Sequence, residues 1–507
     1  MLPGRIPGSG KGEPQMSKFR LNPGTPFKGD MFGGNAPAGS IRNNTNSNTH
    51  NPPHPPVLCS KVLADGREDS WLEYVPADLD PESRPPLIIS CHGGGAQAQM
   101  QFDETSWCYI AEQEGAVAVF PNAGGTRRSW LTEDGQEPKP GERPSMLDVF
   151  TENPDGRAAE SAHHIQFLKA LIQEMKAKYH IDEGRVYLQG MSMGDIMTMM
   201  FARVCGNLLA GIDSTAGPSP QVALFDEAGN LKGFNCPVPV YQSRGELDTI
   251  VVGPVAGKET TTRQDVNAVN RNFWLKVNEC DTLPRLSILD VNNFAFYTGK
   301  KANLVFRDVK HRAHGQTLDD AYWAWHTLFK GTRRNPDGSI TCMDTDYSAR
   351  GDVDAAALCD GCGYAYINNS RVKLEAPAFI EPLCNFDFAS RSLQTYKEEL
   401  YVPVSFLTQY FDIPVDYAPD RRSAVLHCPE GDCEIAEASI ATLWDGFLRS
   451  MFMPTILKDG VLFVAVRWFA EVIFGMHVTQ CDGALYISDH HGEMSKDMAY
   501  IIRDILS

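Results

Sequence analysis

The sequence predicts an α/β domain, with a mostly parallel sheet and flanking helices, followed by a smaller α+β domain that contains a duplicated unit. From about residue 57 to 333, short apolar runs alternate with longer segments of helical periodicity, which indicates βαβ units. From about 361 to 490 the pattern changes, and one strand–helix–strand segment occurs twice. With 42% hydrophobic residues among 507, the chain has ample material for more than one core.

The elements of the α/β domain follow in a regular order. Each predicted strand is a short apolar run next to turn-forming residues, and together they lie at Pro86–Cys91, Ala116–Pro121, Arg185–Gln189, Pro237–Gln242 and Asn303–Val309. The predicted helices carry apolar residues at helical spacing, and they lie at Ala158–Tyr179, Asp195–Val204, Val266–Val277 and Leu318–Phe329. Strands that alternate with helices in this way favour a parallel sheet covered by helices.

The remaining segments are interpreted from their composition. Residues 1–56 are rich in Pro, Gly and Asn, which predicts a disordered tail or an irregular arm packed on the next domain. Residues 334–360 are polar and rich in turn formers, as expected of a linker. We predict the α/β domain over 57–333, the second domain over 361–490, and a C-terminal helix over 491–507.

The duplicated unit of the second domain is visible in two apolar segments. Tyr401–Leu407 corresponds to Phe463–Phe469, and each segment is predicted to be a short strand that enters a short amphipathic helix. A strand-like piece follows each one, at Ala424–His427 and at Ala484–Ile487. We therefore expect two copies of a strand–helix–strand unit.

Charge and composition exclude several classes of function. The 46 basic and 64 acidic residues give a net charge of −18, and an acidic surface argues against non-specific binding to nucleic acid or anionic membranes. No apolar run approaches the ~18–20 residues of a membrane-spanning helix. The N-terminus lacks the apolar stretch of a secretory signal, and the odd count of 13 cysteines does not suggest a disulfide scaffold. An intracellular, reduced protein is expected, unless a signal peptide was lost or the exterior is anaerobic.

The motif that carries chemistry is Gly190-Met-Ser192-Met-Gly194, a G-x-S-x-G pentapeptide. It directly follows the predicted strand Arg185–Gln189 and opens the predicted helix Asp195–Val204, which is the placement that a nucleophile elbow requires. Glycines on both sides allow a tight turn that exposes the serine hydroxyl. We therefore expect Ser192 to be a nucleophile.

A serine nucleophile needs a general base and an orienting carboxylate. In a strand–elbow–helix domain these partners follow the serine in the order acid, then histidine. Asp248 and His314 both occur just past predicted strands, where open α/β sheets place their chemistry. The alternatives are Asp213 for the acid and His311 for the base.

The oxyanion of a tetrahedral intermediate is usually held by two backbone N–H groups. Cys91-His92-Gly93-Gly94-Gly95 follows the first long apolar strand, so we expect one donor at Gly94 or Gly95 and the other at Met193. His92 is expected to support this segment structurally, and His163 and His164 to be surface or packing residues. Trp107 and Trp130, and more weakly Trp274, are candidates to line a substrate pocket, with core packing as the alternative.

The α/β domain resembles the polyhydroxybutyrate depolymerase and feruloyl esterase branch of the α/β-hydrolases. The resemblance rests on the segment Pro86–Gly95, the strand that ends Phe120-Pro121-Asn122, Tyr179–Tyr187 before the elbow, the Gly245–Asp248 turn and the late His314. It implies secreted or cell-associated esterases that act on aromatic, polyester or acetyl esters without a metal or organic cofactor. A serine carboxylic-ester hydrolase with the triad Ser192, Asp248 and His314 is the expected function. The localisation is uncertain, because no signal sequence accompanies a family of secreted enzymes.

The second domain resembles the copper amine oxidase N-terminal-like domain, through Tyr401–Val404, Phe463–Arg467 and Ala470-Glu471 followed by Gly475. That module does not carry the oxidase's copper or quinone, and the resemblance implies attachment, spacing or contact with a cell wall or polysaccharide.

Two other functions remain open from the sequence, a serine peptidase similar to prolyl oligopeptidase and a surface-binding protein with a vestigial hydrolase domain. The pair Cys359 and Cys362, with Cys342 and Cys384 nearby, could bind zinc, form a disulfide or remain free thiols; no metal is the expectation. Cys428 and Cys433 could pair or remain free.

Overall fold

A computed structural model describes residues 50–124, 130–131, 163–234, 236–343 and 351–507, together with the backbone of residues 20 and 21. Most of the predicted tail lies outside the described residues. Within the predicted tail, β1 (Arg20–Leu21) pairs in antiparallel fashion with β2 (His50–Asn51). The chain divides into two compact units, one built from residues up to Pro284 and from Phe296–Ala349, the other from Arg285–Ala295 and Arg350–Ser507.

The centre of the first unit is formed by eight strands of one larger sheet, with helices alongside. These strands are β3 (Val57–Ala64), β4 (Arg67–Tyr74), β5 (Leu87–Cys91), β6 (Val117–Pro121), β7 (Val186–Met191), β8 (Gly211–Thr215), β9 (Val240–Gly245) and β12 (Leu304–Val309). Their order in the sheet is β12-β9-β8-β7-β5-β6-β4-β3. The six strands from β12 to β6 are parallel, whereas β4 and β3 are antiparallel at one edge.

The helices of this unit connect the strands in the expected alternation. They are α1 (Ala98–Glu104), α2 (Trp107–Glu114), α3 (His163–Tyr179), α4 (Met193–Cys205), α5 (Gln221–Leu224), α6 (Arg263–Val277) and α7 (Asp320–Thr327), with 3₁₀ turns at Gly206–Leu208 and Phe329–Gly331. Strands β5, β6, β7, β9 and β12 are buried along nearly their whole length. Such strands need apolar or paired side chains on both faces, which explains why the sequences of β5 and β6 are almost entirely apolar. This is the α/β-hydrolase fold, as predicted.

Strand β8 was not predicted from the sequence. Two of its five residues, Gly211 and Asp213, are poor strand formers, yet the whole strand is buried between β7 and β9. The central position of the strand, with ladders on both sides, outweighs the weak local propensity.

The segment 334–360, expected to be a linker, contains strand residues. β13 (Thr332–Arg334) and β14 (Ile340–Cys342) form an antiparallel hairpin, and β15 (Ala356–Cys359) begins the second unit. Each of these strands is hydrogen-bonded in an antiparallel ladder. Such pairing cannot be predicted from the polar, turn-rich composition of the segment.

The second unit has three small sheets. Its strands after β15 are β16 (Tyr364–Ile367), β17 (Ser370–Lys373), β18 (Phe379–Asp387), β19 (Ser392–Pro403), β20 (Val415–Tyr417), β21 (Ser423–Cys428), β22 (Gly431–Ala436), β23 (Ala441–Trp444), β24 (Phe447–Ser450), β25 (Ile456–Lys458), β26 (Val461–Ala465), β27 (His477–Cys481) and β28 (Ala484–Ser488). The sheet orders are β17-β16-β15-β28-β27, β18-β19-β26-β25 and β20-β21-β22-β23-β24. The helices are α8 (Ser405–Phe411), α9 (Val466–Trp468), which continues into a π turn at Phe469–Ile473, and α10 (Lys496–Leu506).

The two copies of the repeated segment face each other. β19 enters α8 and β26 enters α9, and the two strands pair in antiparallel fashion with Val402 opposite Val464. Val402, Phe406, Val464 and Phe469 all belong to one buried apolar cluster. Each copy therefore supplies half of the core that the other copy needs.

Residues 285–295 belong to the second unit although they lie within the chain of the first. They form most of the hairpin β10 (Arg285–Leu289) and β11 (Asn292–Tyr297). The N–H of Ile288 donates to Oδ2 of Asp352 at 3.1 Å, and the buried amide of Asn293 bonds the carbonyl of Glu493 and the N–H of Ser495. These bonds tie the hairpin to segments at both ends of Arg350–Ser507.

In the described part of the chain, no helix combines the length and the apolar character needed to cross a membrane.

Candidate active site

Ser192 lies on a strained turn between β7 and α4. Its φ of 55° and ψ of −114° belong to a region that non-glycine residues rarely occupy. The N–H of Ser192 donates to the carbonyl of Thr215 at 2.9 Å, which fixes the turn against the end of β8. Although Ser192 occupies the N-cap position of α4, its side chain makes no capping bond and is available for other partners.

The glycines around Ser192 are required by close backbone approach. A Cβ on Gly194 would lie 2.2 Å from the carbonyl oxygen of Cys91, and a Cβ on Gly190 would lie 2.1 Å from the carbonyl oxygen of Gly194. The start of α4 can approach β5 only because these side chains are absent.

Gly194→Ala is expected to destabilise the first unit by about 3 kcal/mol or more, because the methyl group meets rigid backbone and α4 must move away from β5. Thermal denaturation and soluble yield measure the loss. Gly363→Ala is the matched control, since its added Cβ meets nothing within 4 Å. Equal melting temperatures for the two variants would contradict the role assigned to Gly194.

The structure brings the three predicted triad residues together. His314 Nε2 lies 3.0 Å from Oγ of Ser192, and His314 Nδ1 lies 2.9 Å from Oδ2 of Asp248. The carboxylate of Asp248 accepts, so Nδ1 carries the proton and Nε2 is left to accept the hydroxyl proton of Ser192. Both distances are within the range that direct proton transfer requires.

Asp248 is held as an anion by its surroundings. It lies in the turn after β9, where burial raises its pKa, but the hydrogen bond from His314 and the N–H of Ile250 at 2.9 Å outweigh burial and leave the pKa below the usual value. Arg263 donates to the carbonyl of Gly245 at 2.8 Å and adds a nearby positive charge.

The two alternatives from the sequence lie elsewhere. Asp213 is fully buried in β8, where its Oδ1 accepts from the hydroxyl of Thr215 at 2.9 Å and burial holds its pKa well above the usual value. His311 is exposed, three residues before the histidine that contacts Asp248. Neither residue makes a hydrogen bond to Ser192 or Asp248 among the bonds of the described chain.

The predicted oxyanion segment lies beside the start of α4. A Cβ on Gly94 would lie 2.8 Å from Cγ of Met193, so these two residues are in contact. Met193 is the first residue of α4, and its N–H therefore has no acceptor within the helix. Gly95 adopts a φ of 74°, which favours glycine.

His92 supports this segment structurally, as expected. Its Nε2 accepts the N–H of Ala123 at 3.0 Å, so Nδ1 carries the proton that is donated to the carbonyl of Gly93 at 2.7 Å. The ring is fully buried and packs 5.1 Å from the ring of Trp130.

Trp107 and Trp130, the candidates for a pocket lining, are buried, each about 1% exposed, as in the core-packing alternative. Trp107 stacks on Phe329. Trp130 donates from Nε1 to the carbonyl of His92 at 2.8 Å, and thus fixes the oxyanion segment from inside. Trp274, the third candidate, is also fully buried. These indoles fill space in the core, and those of Trp107 and Trp130 each meet a buried polar group there. The sequence alone could not distinguish this packing from the lining of a pocket.

The neighbouring histidines also have defined roles. His164 is buried, and the N–H groups of Gly124 and Leu131 approach its ring nitrogens at 3.2 and 3.0 Å. Burial lowers the pKa of His164 to about 3 and keeps the ring neutral. His163 contacts Asp65 and Asp69 at 2.7 and 2.8 Å.

Sequence reasoning missed a buried ion pair next to the elbow. Asp195 is fully buried, and its Oδ2 accepts the N–H of Gly217 at 2.8 Å and lies 3.5 Å from Nη1 of Arg244. Arg244 also donates to the carbonyl of Ser214 at 2.6 Å. An aspartate directly after the second glycine of G-x-S-x-G was the available signal. The pair joins α4 to the ends of β8 and β9.

Asp195→Asn is expected to change the pH dependence of stability. Burial raises the pKa of Asp195 from 3.8 to about 7, against the opposing charge of Arg244, so the folded protein binds a proton that the unfolded chain has released. The stability contributed by Asp195 is therefore complete below about pH 4 and is lost as pH rises towards 7. The melting temperature of the variant, relative to wild type, should rise across this interval. Asp226→Asn is the control, because the pKa of that exposed carboxyl is lowered, so its contribution changes only below about pH 4 and its difference curve should stay flat across this interval.

All 13 cysteines are free thiols in the structure, including Cys359, Cys362, Cys428 and Cys433. Among the described residues, no group of three or more His, Cys, Asp or Glu side chains is arranged to hold a metal ion.

The parallel sheet, the elbow at Ser192 and the late histidine define an α/β-hydrolase domain. The Phospholipase/Carboxylesterase family matches residues 79–276, which include Ser192 and Asp248.

Three curated relatives are similar to part of the chain. The chain is 27% identical over 178 residues to the bifunctional acetylxylan esterase/xylanase XynS20E of Neocallimastix patriciarum, covering 35% of this chain and 21% of the relative. It is 25% identical over 206 residues to the poly(3-hydroxybutyrate) depolymerase of Ralstonia pickettii, covering 37% and 38%. It is 25% identical over 261 residues to feruloyl esterase B of Piromyces equi, covering 49% and 43%. The chain thus spans less than half the length of each of these relatives.

Proposed function

We propose that this protein is a serine carboxylic-ester hydrolase that acts through an acyl-enzyme. The observation that carries the proposal is the hydrogen-bonded series from Ser192 Oγ through the ring of His314 to Asp248, with distances of 3.0 and 2.9 Å. The match to the Phospholipase/Carboxylesterase family supports the same reaction class.

Acylation begins with attack of Ser192 Oγ on the ester carbonyl carbon. His314 Nε2 takes the hydroxyl proton as the bond forms, and Asp248 stabilises the imidazolium because its own pKa is low. The same Nε2 then gives the proton to the leaving alcohol. The strained φ of Ser192 holds Oγ towards the base before the substrate arrives.

The tetrahedral oxyanion is held, in this proposal, by the N–H groups of Met193 and of Gly94 or Gly95. Their support is the contact between Gly94 and Met193 and the position of Met193 at the positive end of α4. Deacylation repeats the sequence with water as nucleophile and His314 as base, which returns Ser192 to its free form.

We assign the substrate to the esters of acetyl, feruloyl-type or hydroxyalkanoate acyl groups. The relatives that match this chain are named for acetylxylan, feruloyl and poly(3-hydroxybutyrate) esters. The side chain of His314 is 32% exposed, so the site is reached from solvent and suits an ester carried on a polymer.

We further propose that the second unit is an accessory module similar to the copper amine oxidase N-terminal-like domain, one that contacts a cell wall or polysaccharide. Its support is the pairing of β19 with β26, which joins the two copies of the repeat. Co-sedimentation of the full chain with insoluble xylan and with cell-wall fragments tests this assignment, and recovery in the supernatant at all concentrations would contradict it.

The proposed activity is tested with a panel of esters and the purified chain. The panel contains p-nitrophenyl acetate, p-nitrophenyl butyrate, methyl ferulate, a hydroxybutyrate oligomer and a proline-containing peptide p-nitroanilide. Turnover of at least one ester, with an initial burst of p-nitrophenol equal to the enzyme concentration where deacylation limits the rate, is expected. Turnover of the anilide alone would favour a peptidase, and a folded but inert protein would contradict both.

A further inference from the structure

A buried polar network connects three segments of the active site. It consists of four side chains that are 0–2% exposed, namely Ser90, Gln101, Gln189 and Gln316, and we call it the amide network. Three glutamines within one core are unusual, because a buried amide is costly unless it is hydrogen-bonded.

The bonds within the amide network satisfy its members mutually. Ser90 donates to Oε1 of Gln189 at 2.5 Å, and Nε2 of Gln101 lies 2.9 Å from Oγ of Ser90 and 3.0 Å from Oε1 of Gln189. Oε1 of Gln316 accepts from Nε2 of Gln189 at 3.3 Å and from Nε2 of Gln101 at 3.4 Å. Nε2 of Gln316 returns a bond to Oε1 of Gln101 at 3.4 Å.

Each member lies close in sequence to one part of the triad or oxyanion segment. Gln189 is in β7, three residues before Ser192, and Gln316 is two residues after His314. Ser90 is in β5, two residues before His92, and Gln101 is in α1, which follows the oxyanion segment. The amide network thus joins the strand of the nucleophile, the loop of the base and the segment of the oxyanion donors.

The loop that carries His314 has little other regular structure near the ring. It connects β12 to α7, and Gly315 has a φ of 136°, a conformation that only glycine adopts easily. Arg312 donates to the carbonyl of Gln316, which closes the loop on itself. The side chain of Gln316 bonds this loop to Gln189 of β7 and Gln101 of α1.

We propose that Gln316, held by Gln101 and Gln189, is a positioning residue that sets His314 at hydrogen-bond distance from Ser192. The inference rests on the proposed function, since it assigns a role in the same reaction. Hydrogen bonds between side-chain amides are directional, so they hold the loop in one conformation. Apolar side chains of the same size would fill the space without selecting that conformation. In the described chain, the bonds of the Gln316 side chain go to Gln101 and Gln189, so its proposed effect on the reaction passes through the loop that carries His314.

The first test compares Gln316→Leu with wild type on p-nitrophenyl acetate. We expect kcat/KM to fall by about 10- to 100-fold with KM little changed, because a base displaced by about 1 Å costs that much in rate. The downfield proton resonance of the His314–Asp248 hydrogen bond, assigned by its loss in His314→Ala, should shift or broaden. This resonance needs no turnover, so it decides the inference even if the proposed hydrolase activity fails.

A second variant separates positioning from core stability. The combination Ser90→Ala, Gln101→Leu, Gln189→Leu and Gln316→Leu removes the four members of the amide network together, which is less costly than leaving one of these amides unpaired. Outside the network, Trp107 Nε1, which lies 3.4 Å from Oε1 of Gln189, loses its acceptor. The melting temperature of the combination variant should recover towards wild type, while kcat/KM and the resonance stay altered. Gln242→Leu is the matched control, a fully buried strand glutamine whose amide has no hydrogen-bond partner in the described chain, and it should keep wild-type kcat/KM.

Two results would overturn the proposal. One is a Gln316→Leu variant that loses melting temperature but keeps both the resonance and kcat/KM. The other is an apolar combination variant that regains activity together with stability, since the amides would then serve only to fill the core.

Discussion

Replacing Ser192 with alanine is expected to lower kcat/KM for p-nitrophenyl acetate by about 10⁴-fold or more while the fold stays intact. The substitution removes only Oγ, whose partner at 3.0 Å is His314 Nε2, and leaves the backbone bond from Ser192 to Thr215 in place. Residual turnover then comes from the oxyanion donors and substrate binding alone. Steady-state kinetics measure the loss, and thermal denaturation verifies the fold.

A phosphonate ester that labels active serines provides an independent measurement. Wild type should gain one adduct, located by peptide mass spectrometry at Ser192, and the alanine variant should gain none. Ser405→Ala is a suitable control, because that serine bonds Glu375 in the second unit and should not affect labelling. Labelling of the Ser192→Ala protein at wild-type rate would contradict the assigned nucleophile.

Asp248→Asn is the change with the second largest expected effect, a loss of about 10³–10⁴-fold in kcat with little change in stability. The amide can accept through its oxygen, but its NH₂ can also face His314 Nδ1 and favour the wrong tautomer, in which Nε2 carries the proton. The amide also fails to stabilise the imidazolium. The measurement is kcat at saturating p-nitrophenyl acetate, with thermal denaturation to verify that the fold is retained.

Asp213→Asn is the matched control for this prediction. Burial raises the pKa of Asp213 well above its usual value, so the neutral amide resembles the native carboxylic acid and should retain most of the activity. If Asp213→Asn abolishes turnover while Asp248→Asn does not, the acid role belongs to the strand residue instead.

The chain order of the site was predictable because it rests on local signals. The G-x-S-x-G pentapeptide between a strand and a helix, followed by turn residues after two later strands, indicated Ser192, Asp248 and His314 before any distance was known. Amino-acid composition and strand propensity do not indicate whether Asp213 or Asp248 lies near His314. That choice depends on the register of β8 against β9, which is a tertiary property.

Other features could not be predicted, because their cause lies in packing. The choice between a pocket lining and core packing for Trp107 and Trp130 could not be made from the sequence, since an indole N–H can be satisfied by a buried amide or carbonyl as readily as by a ligand. The amide network has no periodic signal, as its members come from four separate segments. Strand β8 was missed for a related reason, because its buried Ser214 gains a partner only when β9 places Arg244 beside it, where Nη2 of Arg244 donates to Oγ of Ser214 at 3.1 Å.

The repeat of the second domain was visible from sequence because both copies keep the same apolar pattern. Their direct pairing through Val402 and Val464 was not, since similarity between two segments does not indicate whether they pair with each other. The assignment of residues 285–295 to the second unit was equally hidden, because the hairpin reads like any other strand pair of an α/β domain.

That hairpin has a consequence for biosynthesis. Residues 285–295 leave the ribosome well before Asp352, and long before Glu493 and Ser495, the groups that bond Ile288 and Asn293. The second unit therefore does not complete its folding from residues 350–507 alone. Its first segment, residues 285–295, is synthesised early and forms its native bonds only after the later residues have been translated. Expression of a fragment that starts at Arg350 would omit this piece, so the gene cannot be divided between the two units with a single cut.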